Sequence, residues 1–127
     1  MNQAQSLENK TILILGGTGG MGLAAAELML DSGAKVFVTG REQSDVDVIN
    51  NRNNQSFKAL AQDASVAGNA ELAINACHAI FGNIHGLYHV AGGSGRAFGD
   101  GPLHELSDAG WNMTMHLNLE AIMRSNR

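Results

Sequence analysis

The chain has one cysteine, Cys77, among its 127 residues. That count excludes an intramolecular disulfide and a cysteine-based metal cluster. Cys77 lies on the apolar stripe of a predicted helix, where a small buried thiol is a better fit than a nucleophile. Metal motifs are missing as well. The histidines His78, His85, His89, His104 and His116 supply no HExxH pattern, and no metal site is expected. His85 and His89 are even-spaced near one predicted strand, but two such ligands without a carboxylate or a third histidine seldom make a site. No apolar run approaches the roughly 18 residues that span a bilayer. The polar start, Met1 to Lys10, lacks a signal-peptide core, so a cytoplasmic location is expected and no membrane partner. Positive charge is also scarce. Eight Lys and Arg against twelve Asp and Glu leave a net charge of −4, which argues against a nucleic-acid partner or an anionic-membrane surface. What remains, 44% apolar and 16% charged residues, is the composition of one ordinary globular domain over residues 1–127.

Glycine is abundant, with sixteen in all, and its placement is the most informative feature of the chain. Residues 11–22 run an apolar strand, Thr11-Ile-Leu-Ile-Leu15, into Gly16-Gly-Thr-Gly-Gly-Met-Gly22 and then into a helix. A turn of this kind reverses tightly and lets backbone amides approach a phosphate without an intervening β-carbon. The helix behind it directs unsatisfied NH groups and a positive dipole end at the anion. Gly16, Gly17, Thr18, Gly19, Gly20, Met21 and Gly22 are therefore candidate residues for a dinucleotide pyrophosphate. The glycines satisfy GxxxGxG, GxxGxxG and GxGxxG at once, and the sequence leaves the three spacings open.

Alternating patterns continue to the carboxyl end. Strands are expected at Thr11–Leu15, Lys35–Thr39, about Ser56–Ala61 and Gly86–Val90. Helices are expected at about Gly20–Ser32, Ser44–Asn50 and Ser65–Phe81. The third of these carries Val66, Ala70, Ile74, Cys77 and Phe81 on a buried face. Five glycines between Gly92 and Gly101 mark a mobile loop, and Ser107 is a plausible N-cap for a last helix. Alternation of this kind implies an α/β fold, a doubly wound parallel sheet of strand order 3-2-1-4. A crevice is then expected between the carboxyl ends of strands 1 and 4.

Three polar residues fall beside that crevice. The second strand ends in Thr39-Gly40-Arg41, with no carboxylate to bond the 2'-hydroxyl of NAD. Arg41 can instead make a charge-assisted contact with the 2'-phosphate of NADP, or simply be a solvated residue after a strand. Asp63 follows strand 3 and, ahead of Ala64-Ser65, is a candidate for a helix cap. Asn118 shares a face of the last helix with Trp111, Met115 and Ile122, so partial burial and hydrogen-bond partners are expected.

In these residues the chain resembles the short-chain dehydrogenase/reductase family. Gly16, Gly20 and Gly22 match its GxxxGxG motif, with Leu15 in place of the usual preceding threonine. His89-Val90-Ala91-Gly92 stands where the family has NNAG, keeping Ala91 and Gly92. Trp111 and Asn118 resemble the helix that contributes the catalytic-tetrad asparagine. His89-Val90-Ala91 is also compatible with the extended, sugar-nucleotide branch. The resemblance implies a Rossmann domain that binds NADP in preference to NAD, through the glycine turn, Arg41, Asp63, Ala91 and Gly92. It implies hydride transfer between that cofactor and a small alcohol or carbonyl. Asn118 then supports a water in the proton relay, or else merely bonds backbone. A methyltransferase binding S-adenosylmethionine would favour an acid at the end of strand 2, where this chain has Arg41.

The resemblance also implies a serine and a YxxxK motif that this chain does not carry. Its one tyrosine, Tyr88, is followed four residues later by Gly92. The expectation is a fold incomplete relative to the family, truncated before the catalytic Tyr and Lys segment. The competing expectation is a non-catalytic dinucleotide-binding or interaction module. Either way, strand 4 is left as an edge and the last helix is apolar on more than one face. Self-association or a homo-oligomer is expected.

Overall fold

A computed structural model describes residues 6–127. Four parallel strands, β1 (Thr11–Leu15), β2 (Lys35–Gly40), β3 (Phe57–Ala61) and β4 (Gly86–His89), form one sheet in the order β3-β2-β1-β4. Helices α1 (Gly20–Asp31), α2 (Gln43–Asn50) and α3 (Asn69–Phe81) connect them. The central strands read as nearly continuous apolar runs, TILIL and KVFVTG, because helices cover both faces of the sheet. Ile14, Val36 and Val38 pack with Ala26 and Ile49 on one face. Leu13, Leu15 and Phe37 pack with Ala73 and Cys77 on the other, so Cys77 is a core residue as expected. Burial pushes the Cys77 thiol up to about 11, which keeps it protonated and unreactive. Phe37 and Phe81 meet edge to face, with centroids 6.5 Å apart.

The register places the business end of the sheet. Leu15 lies opposite Thr39 on one side and His89 on the other, so β1, β2 and β4 finish side by side. The last helix then passes above these ends. Ser107 caps it as expected, accepting a bond from the Gly110 amide at 3.0 Å. It runs as α4 (Asp108–Met115), a wider π-type turn at His116–Glu120, and α5 (Ala121–Asn126). The backbone stays right-handed through both junctions, so the three pieces form one continuous rod.

Two expectations are corrected. The third helix begins at Asn69 rather than Ser65, because Asp63 Oδ1 accepts both the Ser65 amide (2.8 Å) and its hydroxyl (2.7 Å). That closes a side-chain turn which competes with the helix, and Gly68 at φ 87° makes the entry. The buried stripe is consequently Ala70, Ala73 and Cys77, while Val66 is 49% and Ile74 37% exposed. The glycine-rich loop after β4, expected to be mobile, is organised. A 3-10 turn at Arg96–Phe98 is closed by the Gly95 carbonyl, and the Ser107 hydroxyl donates to Phe98 O at 2.9 Å.

Phe37, 2% exposed at the centre of the sheet, is the side chain on which this packing turns. Phe37→Ala is expected to destabilise the fold by about 3–5 kcal/mol in urea unfolding. Val48→Ala, at a residue 63% exposed, should stay within about 0.5 kcal/mol of wild type.

Candidate functional site

The glycine turn sits at the switch point of the sheet, where the chain leaves β1 and enters α1. Its position is fixed by the end of β2, since the amides of Gly16 and Gly17 both donate to the Thr39 carbonyl, at 3.0 and 2.8 Å. Three glycines of the turn are sterically required, Gly17 among them because a β-carbon there would lie 2.5 Å from Val38 Cγ1. Gly16 has φ 87°, and a β-carbon there would lie 2.7 Å from the Ala91 amide nitrogen. A β-carbon on Gly22 would lie 1.9 Å from the Gly16 carbonyl oxygen. Gly16 and Gly22 belong to both GxxxGxG and GxxGxxG, and the φ of 52° at Gly20, against extended backbone at Gly19, favours the first. Gly19 caps α1 with no side chain over it, and Gly20 is exposed beside it, so the first amides of α1 face outward unobstructed. Met21 is 76% exposed and points to solvent.

Beside this turn a cavity of about 190 Å³ opens between the strand ends and the last helix. Of the residues singled out from the sequence, Gly16, Thr18, Arg41, Asp63, Ala91 and Gly92 line it. The remaining four glycines of the turn and Met21 do not. Sequence reasoning missed Gln62, Ser65, Leu117 and Ala121, which also line it. Position next to Asp63 and Asn118 was the signal available for Gln62 and Leu117. Arg41 is exposed on the rim, and none of the four ion pairs among the described residues involves it.

Asp63 is exposed on the same rim. The two bonds from Ser65 hold its carboxyl below the ordinary 3.8; slight burial opposes them, and the charges of Arg41 and His116 add to them. Asp63 is therefore an anion throughout the neutral range and organises the Ser65 turn; it does not cap α3. Arg124 braces the other side of this turn by donating to Ser65 O at 2.9 Å. Asn118 departs from expectation, because it is exposed rather than partly buried. Its side-chain amide nonetheless finds partners, donating to Gly93 O (2.6 Å) and Thr114 O (2.9 Å) and accepting from Gly93 N (3.1 Å). Asn118 thus ties the loop after β4 to the last helix.

The even-spaced histidines serve two separate contacts. His85 Nδ1 accepts from the Thr11 amide at 2.9 Å. His89 Nδ1 lies 2.8 Å from Ser125 Oγ, whose own hydrogen goes to Ile122 O. That assignment makes His89 Nδ1 the donor, and leaves Nε2 buried without a partner among the described residues. No group of three or more candidate metal ligands occurs among those residues.

A parallel sheet of this order with a glycine turn at its switch point defines a doubly wound, Rossmann-type domain. Residues 10–127 match the family described as short chain dehydrogenase, and the chain belongs to that family. The family binds NAD(P). A short chain dehydrogenase of Penicillium brasilianum is 41% identical over 88 residues, 68% of this chain and 33% of its own length. One from Emericella variicolor is 33% identical over 122 residues, 95% of this chain and 46% of its own. Among solved structures, a short-chain dehydrogenase/reductase from Brucella melitensis, described as a glucose/ribitol dehydrogenase, aligns with a TM-score of 0.81 and 31% identity. It covers 93% of this chain and 49% of that one. A 3-ketoacyl-(acyl-carrier-protein) reductase from the same organism, complexed with NADH, shares the fold at TM-score 0.82 and 22% identity, over 96% and 49% of the two chains. The chain thus spans half or less of the length of these relatives. No helix among the described residues is long and apolar enough to cross a membrane.

The His89 contact carries a pH dependence. Burial holds the imidazole below its ordinary 6.5, against an opposing bond at the Ala91 backbone. Below 6.5 the unfolded chain takes up a proton that the folded chain refuses, so this contribution is intact above that value and is lost as pH falls. Urea midpoints measured from about pH 8 to about pH 5 should fall faster for wild type than for His89→Asn, which has no titrating ring. Parallel curves would contradict the assignment.

Proposed function

We propose that residues 1–127 form a single NAD(P)-binding domain, the cofactor-binding half of an oxidoreductase that prefers NADP(H). The observation that carries the preference is the end of β2. A buried Thr39-Gly40 step ends β2 without an acid and leads to Arg41, exposed on the cavity rim and in no ion pair among the described residues. The residues fit such a ligand. Gly16 to Gly22 and the open amides of α1 would receive the pyrophosphate. Arg41 would hold the 2'-phosphate, with Asp63 at the adenine and Ala91 and Gly92 along the chain between. The bound cofactor supplies a hydride to, or takes one from, a small alcohol or carbonyl.

Asn118 is the one member of the family's catalytic tetrad in this chain, and its role here is to hold the Gly93 loop in place and orient a relay water. The alternative reading is a dinucleotide-binding or interaction module without catalysis. The only tyrosine, Tyr88, sits inside β4, with Gly92 where a YxxxK motif needs lysine. A missing proton donor of this kind costs a factor of about 100 to 10,000 in rate. The two readings therefore share the cofactor site and differ in turnover.

The last helix supports a second proposal, self-association. Phe98, Trp111, Leu119 and Met123 are 48%, 50%, 62% and 47% exposed along or beside it. Sedimentation velocity on the chain should show dimers or larger species, and a monodisperse monomer would contradict this.

For the cofactor, Arg41→Asp should weaken NADPH binding by about 10- to 150-fold in calorimetric titrations, the worth of a bond to a charged group, and leave NADH unaffected. Unchanged discrimination between the two would remove the assignment.

A further inference from the structure

The last helix forms one wall of the cavity through Leu117 and Ala121, and the chain from Gln62 to Ser65 forms another. Among the described residues one hydrogen bond joins these two walls, from Arg124 Nη1 to Ser65 O at 2.9 Å. The carbonyl that it reaches is free for a local reason. In a helix begun at Ser65, the Asn69 amide would donate to Ser65 O. Because the Asp63 side chain draws the Ser65 amide and hydroxyl into a turn, α3 starts at Asn69, and that amide donates to Val66 O instead, at 3.2 Å. Arg124 supplies the donor that a longer helix would have given. Its guanidinium is itself held in place. Nη2 bonds Glu120 Oε1, and Glu120 Oε2 lies 2.8 Å from His116 Nδ1, so the three side chains brace one another along the helix. The Arg124 side chain is only 19% exposed, which separates it from an ordinary solvated surface pair. A planar fork serves two acceptors at once, which a single ammonium does not.

We infer that Arg124 is a positioning residue for the cofactor site, fixing the Asp63 to Ser65 turn against the last helix and so setting the width of the cavity. Arg124 does not line the cavity itself. The inference rests on the dinucleotide reading above and adds to it a residue that shapes the site from outside. A wall ordered before the ligand arrives removes an ordering cost from binding. A cation that only added positive field near a phosphorylated ligand would act through its charge, whereas Arg124 acts through the fork that spans Ser65 and Glu120. The two roles make opposite predictions for Arg124→Lys.

The test compares wild type with Arg124→Met, which keeps the apolar stem and loses both bonds, and with Arg124→Lys, which keeps the charge and loses the fork. Each is titrated calorimetrically with NADPH, and the free proteins are compared by amide positions in two-dimensional NMR and by melting temperature. Both variants are expected to lose about twofold to tenfold in affinity, the worth of one hydrogen bond. In the free variants the amides from Asp63 to Asn69 are expected to move and those from Gly16 to Gly22 to stay. Wild-type affinity in both variants, or in Arg124→Lys alone, would overturn the inference and leave the dinucleotide reading standing. Amides displaced throughout the chain, with a lowered melting temperature, would mark a general role in folding and would overturn it as well. Wild type that does not bind NADPH would overturn the dinucleotide reading and the inference with it.

Discussion

Three pieces of backbone meet at the carboxyl end of the sheet with no side chain between them, and the rest of the molecule is arranged around that contact. The turn after β1 donates two amides to the end of β2, abuts the chain leaving β4 through Gly16, and receives α1 through Gly22. A β-carbon at either glycine would separate pieces that now touch, at 2.7 and 1.9 Å. Overpacking of this severity cannot be absorbed by a rotamer change, because the opposing atoms are backbone. The crevice and the open end of α1 are consequences of this convergence rather than separate features.

Electrostatics follow from the same arrangement. The carboxyl ends of the strands bring the Asp63 turn and Arg41 to one rim, opposite in charge but not joined in an ion pair. Ser65 engages Asp63 Oδ1, and the Arg41 guanidinium forms no ion pair among the described residues. The last helix closes the other side through Leu117 and Ala121, and is held there by contacts at Arg124, Asn118 and Ser125. A chain with net charge −4 thereby presents a local cation beside free helix amides. Local placement, not global charge, is what would suit this rim to the phosphorylated ligand proposed above.

Much of the fold was legible in the sequence because its signals are local and strong. Apolar runs of strand length, a glycine turn between the first strand and helix, and the rule of right-handed crossovers together yield the order β3-β2-β1-β4. The glycine turn and Arg41 could be read in the same way, since each follows directly on a strand end, whereas Asp63 as a ligand contact and Ala91 rest on the family resemblance. Elements governed by competition between side chain and backbone were not legible. The start of α3 was misplaced because the Asp63 to Ser65 bonds outcompete helix formation, and apolar Val66 gave no sign of it. Leu117 and Ala121 depend on how a distant helix crosses the strand ends, which no spacing along the chain encodes. The exposure of Asn118 was not foreseen. The π-type turn at His116–Glu120 within the same helix has no recognisable sequence signal.

The most direct test of the account is to follow every backbone amide by two-dimensional NMR while NADPH is added to the chain. The account predicts saturable shifts concentrated at Gly16 to Gly22, Arg41, Asp63 to Ser65 and Ala91 to Gly93. An absence of shifts, or shifts confined to the exposed apolar face of α4 and α5, would contradict it.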